Sequence, residues 1–213
     1  MRRHIVWDWN GTLLDDLAVV VEAVNVGLAS VGVDPIDADG YRTHYTRPVS
    51  RFYASLLGRP VRTEEWMSLN EMFHQAYFGK VETIGLTPDA RQALDLVREA
   101  GASQSVLSMA PHDHLVPIVM EHRLHEYFTA VRGSSGNRGE VKAESLVAHL
   151  AEMGREAADV VVIGDTPDDA AAARHVGAGA ILYDGGSHHL PDLQAVGVPV
   201  AATLVEAVDL VLS

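Results

Sequence analysis

The stretch His4-Ile5-Val6-Trp7-Asp8-Trp9-Asn10-Gly11-Thr12-Leu13-Leu14 constrains the fold more than any other part of the chain. A short apolar run ends in an acid, a glycine and a threonine follow, and apolar residues then begin a helical pattern. The run has strand length and delivers the Asp8 carboxylate to its C-terminal end, where the chain turns away. In open α/β sheets that edge is where ligands are bound.

Strand signals recur at residues 4–8, 103–107, 128–132, 159–163 and 178–183, and several are rich in Val and Ile, as buried parallel strands are. Helical patterns lie between the later ones. Residues 89–100 place Ala90, Ala93, Leu94 and Val97 on one face, with Gly101 as the C-cap. Residues 141–153 repeat the pattern with Leu146, Val147 and Leu150, ending near Gly154. Pro167 suits a first helical turn, followed by residues 170–176 and Gly177. The last helical stretch is 203–212. Strands alternating with helices predict an α/β fold built on a parallel sheet.

Residues 15–85 break that rhythm. Residues 15–30 read as a helix carrying Leu17, Val20, Val21, Val24 and Leu28, residues 49–57 as a second ending at Gly58, and Thr63 as the cap of a third. Trp66, Met67, Leu69, Met72, Phe73, Ala76 and Tyr77 on that third helix read as core packing. The expected organisation is an α/β core of residues 1–14 and 86–213, with an all-helical insertion of residues 15–85. Gly133-Ser134-Ser135-Gly136-Asn137-Arg138-Gly139 reads as a loop by composition.

With 213 residues the chain is long enough for one sizeable domain, or for one domain plus a small insertion. It has no cysteine, which excludes disulfides, thiol catalysis and cysteine-ligated metals. A general nucleic-acid binder needs a basic face, and a net charge of −13 argues against one, so no nucleic-acid partner is expected. The apolar run after Arg2 and Arg3 is interrupted by Asp8, so it is read as neither a signal peptide nor a membrane span, and a cytoplasmic location with no membrane partner is expected.

Four features trail the strands: Asp8 with Asn10, Gly11 and Thr12; Ser108; Lys142; and Gly164-Asp165-Thr166-Pro167-Asp168-Asp169. Alone, Ser108 reads as a loop or capping serine, and Asp165 or Asp168 as a helix cap. Together, in this order on one parallel sheet, they converge. Two like charges about 4 Å apart cost on the order of 4 kcal/mol at an effective dielectric near 20. A hard cation removes that cost, and oxygen-only ligands suit Mg²⁺.

This set resembles the four motifs of the haloacid dehalogenase-like (HAD) hydrolases, across essentially the whole chain. The insertion after the first strand is similar to the C1 cap of the phosphoglycolate phosphatase and β-phosphoglucomutase branch. The resemblance implies a Rossmann-like, three-layer core, Mg²⁺ as cofactor and a small phosphorylated metabolite as substrate, and leaves monomer and homodimer equally open. It implies Asp8 as the nucleophile that becomes an aspartyl phosphate. Asp8, Asp165, the main-chain carbonyl of Asn10, and Asp169 directly or through water are the implied Mg²⁺ ligands. Ser108, Met109, Gly11, Thr12 and Lys142 are the implied phosphate-binding set, with Lys142 neutralising charge between the phosphate and Asp8.

Asn10 departs from the pattern. Most phosphatases of the family carry a second Asp there, which protonates the leaving group and later deprotonates water. An amide cannot transfer that proton, and losing general acid–base help costs roughly 10²–10⁴-fold. A phosphatase that is slow, acts on activated substrates or uses another acid such as His44, His112 or His114 is one reading. A phosphonatase is a second, since Asp8-Trp9-x-Gly-Thr resembles its first motif, although no lysine precedes Lys80 to form a Schiff base. A catalytically weakened protein that binds a phosphorylated ligand is a third. Arg42, His44, Arg47 and Arg51 form a basic cluster in the insertion, with His44, Arg47 and Arg51 as candidate substrate contacts. His188 and His189 read as loop residues.

Overall fold

Ile5, Val6 and Trp7 favour extended backbone, and with His4 they form β1 (His4–Trp7), all four residues buried. A strand buried on both faces needs partners along both edges. In the computed structural model, which describes residues 3–136 and 141–213, β1 pairs in parallel with β2 (Ser103–Pro111) and β4 (Val160–Gly164), so that Val6 stands opposite both Ser105 and Val162. With β3 (Val131–Ser134), β5 (Gly179–Tyr183) and β6 (Val200–Ala201) the sheet has six strands in the order β3-β2-β1-β4-β5-β6, every pair parallel. The chain runs outward from β1 to β3, then returns to β1's other edge for β4. The strand order therefore reverses between β1 and β4, and a crevice opens at their C-terminal ends.

The described residues divide into two compact units, one of residues 3–15, 86–136, 141–186 and 190–213, the other of residues 16–85 and 187–189. In the first, side-chain alternation decides what faces each side of the sheet. Val6, Leu107, Val160 and Val162 meet Leu146 and Leu150 of one helix (Lys142–Met153) and Ala172 and Ala173 of the next (Pro167–Val176). On the other side, the Trp7 indole donates to Gln104 Oε1 (2.9 Å), and the Gln104 amide donates to the Leu94 carbonyl (3.0 Å) in a helix over Ala90–Glu99. Helices thus cover both faces.

The second unit holds α1 (Leu17–Ser30), α2 (Ala38–His44), α3 (Val49–Leu57) and α4 (Thr63–Phe78). Val21, Val24, Leu28, Tyr41, Phe52, Tyr53 and Leu69 form its core. Continuing in chain order, the first unit's helices are α5 (Ala90–Glu99), α6 (His112–Glu121), α7 (Lys142–Met153), α8 (Pro167–Val176), α9 (Leu190–Ala195) and α10 (Leu204–Leu212). Among the described residues no helix is long and apolar enough to cross a membrane.

Several elements differ from the sequence expectation. β2 runs on to Pro111, so Ser108 lies within the strand, and β3 begins at Val131 rather than residue 128 because a 3₁₀ turn over His125–Tyr127 precedes it. Gly133 and Ser134 belong to β3 rather than to a loop, while residues 137–139 of that expected loop lie outside the described residues. β6 has two residues, too few to show a period. α6 contains Pro117, which removes a helical N–H and hides the helix from pattern reading. α2 was missed because Gly40 weakens its pattern, though Asp37 caps it by accepting from the Gly40 N–H (2.8 Å). Thr63 is the first residue of α4, with Arg62 at the N-cap. Gly101 lies one residue past the Ala100 C-cap, at φ +67.

A polar network sits at the opposite end of the strands from Asp8. Arg155 donates to Ser103 Oγ (2.9 Å), which bonds His4 Nδ1 (2.8 Å). His4 Nε2 bonds Ser105 Oγ (2.9 Å), which bonds His149 Nε2 (2.8 Å). Arg155 can only donate, so one consistent direction carries donors from Arg155 to His149 with both imidazoles neutral. Burial, with Arg155 and His149 nearby, pulls His4 down to about 4, and burial with Arg132 nearby pulls His149 down to about 4, against Glu152. Both rings therefore protonate more readily in the unfolded chain. Their stabilisation is complete above about pH 6.5 and is lost as pH falls toward 4. Between pH 6.5 and 5 urea unfolding should show a loss on the order of 2 kcal/mol per ring, and His149→Gln should remove about half of that slope. A variant with the wild-type slope would contradict this account.

Candidate active site

The end of β1 and the end of β4 lie side by side, so the residues that follow them share one crevice. Asp8 follows β1 and its N–H donates to the Ile163 carbonyl of β4 (2.8 Å). Asp165 follows Gly164, the last residue of β4. Asp169 lies in the first turn of α8. Carboxylate oxygens of Asp8, Asp165 and Asp169 all lie within 4.8 Å of one another, and all three residues are buried.

Each carboxylate is held from a different direction. Asp169 Oδ2 accepts from the Thr166 N–H (3.0 Å) and hydroxyl (2.6 Å), so it also caps α8, a task that sequence reading offered to Asp165 or Asp168. Its Oδ1 pairs with Lys142, the first residue of α7. The same ammonium pairs with Asp8 Oδ1. Asp165 Oδ1 accepts from the Thr12 hydroxyl (3.3 Å), and Thr12 is fully buried. Glycines let the carboxylates in. A Cβ on Gly164 would lie 2.6 Å from Asp169 Oδ1 and closer still to its Cγ.

Three carboxyl groups against one ammonium place more acidic than basic groups in a buried site. Burial pushes Asp8 well above the ordinary carboxylate range, with Asp169 and Asp165 adding to the push against the pull of Lys142. Burial pulls Lys142 down, but Asp169 and Asp8 outweigh it and hold its proton firmly. A cluster of buried, oxygen-only, anionic donors fits a hard divalent cation.

The remaining expected site residues fall into three groups. Asn10 is half-buried and its Oδ1 accepts from the Ser108 hydroxyl (3.3 Å), whose oxygen accepts from the Ala110 N–H (3.0 Å). The ladder between β2 and β3 is irregular between Leu107 and Pro111, and Ser108 takes up an N–H in that gap. Met109 is the next residue of β2, half-buried. The N–H groups of Gly11 and Thr12 are engaged within the turn, by the carbonyls of Leu14 (3.0 Å) and Trp9 (3.3 Å).

His44, Arg47 and Arg51 belong to the helical unit. His44 ends α2 and its Nδ1 lies 2.8 Å from Ser55 Oγ. Arg47 precedes Pro48, the N-cap of α3, so it does not share a helical face with Arg51. Within the same unit, the His188 ring meets Tyr45 edge-on (5.4 Å) and His189 Nε2 lies 3.3 Å from Thr43 Oγ1. Lys80 pairs with Glu22 on the surface of that unit. Outside it, His112 Nδ1 accepts from the Gly133 N–H (3.2 Å), and His114 is exposed. Sequence reading missed Gly186, a buried residue after β5 that lies against Asp165, since only the Gly185-Gly186 pair signals it.

Residues 3–177 match the family of haloacid dehalogenase-like hydrolases. A phosphoglycolate phosphatase of Caulobacter vibrioides is 26% identical over 188 residues, covering 85% of this chain and 79% of that protein. Two solved structures share the fold: a protein described as a predicted phosphatase from Clostridium acetobutylicum (TM-score 0.87, 17% identity, 100% and 99% coverage) and a haloacid dehalogenase-like family hydrolase from Streptococcus pneumoniae (TM-score 0.85, 19% identity, 98% of each chain).

Removing the ammonium isolates the strain in this cluster. Lys142→Met should lower the stability of the metal-free protein by about 3–5 kcal/mol at neutral pH, measured by urea unfolding in EDTA, with partial recovery on adding a divalent cation. Unchanged stability would mean that the three carboxylates do not depend on Lys142.

Proposed function

Because the chain belongs to the haloacid dehalogenase-like hydrolase family, we propose that it is a Mg²⁺-dependent phosphomonoester hydrolase acting through an aspartyl phosphate on Asp8. The observation that carries this reading is the buried cluster of Asp8, Asp165, Asp169 and Lys142 at the point where the strand order reverses. A small phosphorylated metabolite is the proposed substrate class, in keeping with the name of the Caulobacter relative. The helical unit is proposed as the cap, with His44, Arg47 and Arg51 toward the non-reacting part of the substrate.

Carboxylate attack on a phosphate dianion is anion against anion, so the site must supply positive charge. A divalent cation held by Asp8, Asp165, the Asn10 carbonyl and Asp169, directly or through water, would supply charge stabilisation there. Lys142 supplies a fixed ammonium that already touches Asp8. An Asp8 oxygen attacks phosphorus in line, the ester P–O bond breaks, and the alcohol oxygen leaves with the bonding pair. Water then attacks phosphorus, releasing phosphate and the Asp8 carboxylate. Ser108 offers a hydroxyl to a phosphoryl oxygen, exchanging its bond to Asn10 for one to substrate. Thr12, with its hydroxyl on Asp165 and its N–H inside the turn, is assigned to holding Asp165.

Asn10 can donate a hydrogen bond to the leaving oxygen but cannot give it a proton. Good leaving groups need no such help, and poor ones do. Purified protein should therefore turn over an aryl phosphate with Mg²⁺ and not with EDTA, and Asp8→Asn should abolish turnover. In kcat/KM, which reports the first half of the reaction, Asn10→Asp should gain roughly 10²-fold or more on alkyl phosphates and much less on aryl phosphates. Wild-type protein that binds phosphorylated ligands without turning any over would contradict the proposal. Equal gains on both substrate classes would show that proton transfer is not what Asn10 lacks.

A further inference from the structure

The placement of Asp165 depends on what surrounds its side chain. Thr12 holds its Oδ1. Gly11 closes one side, where a Cβ would lie 2.6 Å from Asp165 Oδ2. Gly186, from the segment after β5, closes another. A Cβ there would lie 2.6 Å from Asp165 Cγ, and closer still to Oδ2 and to the Asp165 Cβ. Carbon atoms settle at about 3.5–4.0 Å. Rotating the carboxylate does not relieve that overlap, because the Asp165 Cβ moves only with its backbone. The φ of Gly186 lies outside the left-handed region, so alanine fits the main chain there. The conflict is with Asp165 alone.

We infer that Gly186 is a positioning residue for the metal-binding carboxylates: its bare Cα leaves the space in which Asp165 stands within reach of Asp8 and Asp169. The inference rests on the proposed divalent-cation site. Any side chain at 186 displaces Asp165 from the cluster, and the affinity for the cation falls. A merely structural glycine behaves differently. Gly197, at φ +80 with open space around it, is needed for its backbone angle and lies outside the cluster.

The test uses Mn²⁺ as the probe, with free ion followed by electron paramagnetic resonance and folding followed by thermal unfolding in EDTA. Gly186→Ala should weaken Mn²⁺ binding by roughly 10–100-fold, the range for residues that orient metal ligands. Gly197→Ala should lower the melting temperature and leave Mn²⁺ affinity within about twofold, far short of that range. Wild-type affinity in Gly186→Ala overturns the inference. If wild-type protein binds Mn²⁺ no better than Asp165→Asn, the cation site itself fails and the inference falls with it. Should Gly186→Ala not fold, the double variant Gly186→Ala/Asp165→Gly decides: recovery of folding places the conflict at Asp165, and continued unfolding rejects it.

Discussion

The Lys142 ammonium, buried between Asp8 and Asp169, is the interaction on which the rest of the site depends. It makes a concentration of carboxylates tolerable in a place where water cannot screen them, and it does so incompletely. The remaining negative charge is what fits the crevice for a divalent cation. Placing Lys142 there requires α7 to start at the sheet's C-terminal edge, and placing Asp169 requires α8 to start beside it. Charge and topology are thus one design problem.

The topology solves it economically. Each acid comes from just past the end of a strand or from the start of a helix. The order reversal beside β1 brings the ends of β1 and β4 together without any long loop. Asp169 serves two ends at once, closing the first turn of α8 through Thr166 and facing Lys142 with its other oxygen. Movement at the start of α8 therefore disturbs the charge cluster directly.

What could be read from the chain follows from how local each signal is. β1 and β4 announce themselves because apolar runs, Ile5-Val6-Trp7 and Val160-Val161-Val162-Ile163, lead directly to an acid or to Gly164 and then an acid. α3 is bounded by Pro48 and Gly58, and its limits are plain. β6 and α6 are not plain, the first too short to show a period and the second interrupted by Pro117. At the site, the four motifs named the acids and the lysine, since motif chemistry depends on residue type. They did not reveal that Asp169 caps α8, that Thr12 turns its hydroxyl to Asp165, or that Gly186 makes room for it. Those are long-range packing relations, and a glycine's missing side chain leaves little mark in one sequence.

In the proposed reaction, Asn10 separates membership of the family from a given rate. Its side-chain oxygen accepts from Ser108, its main-chain carbonyl is a proposed ligand of the cation, and an amide cannot transfer a proton. The same deficit slows both halves of the proposed reaction, because the water that breaks the aspartyl phosphate also needs a base. The most direct measurement is acid quenching during turnover of an aryl phosphate with Mg²⁺, where formation needs no acid and only hydrolysis of the intermediate does, followed by digestion and mass spectrometry. The account predicts a phosphoryl group on the peptide that contains Asp8, at a lower fraction in Asn10→Asp. Phosphate release with no phosphoryl group on that peptide at any time point, or with the group on another residue, would contradict it.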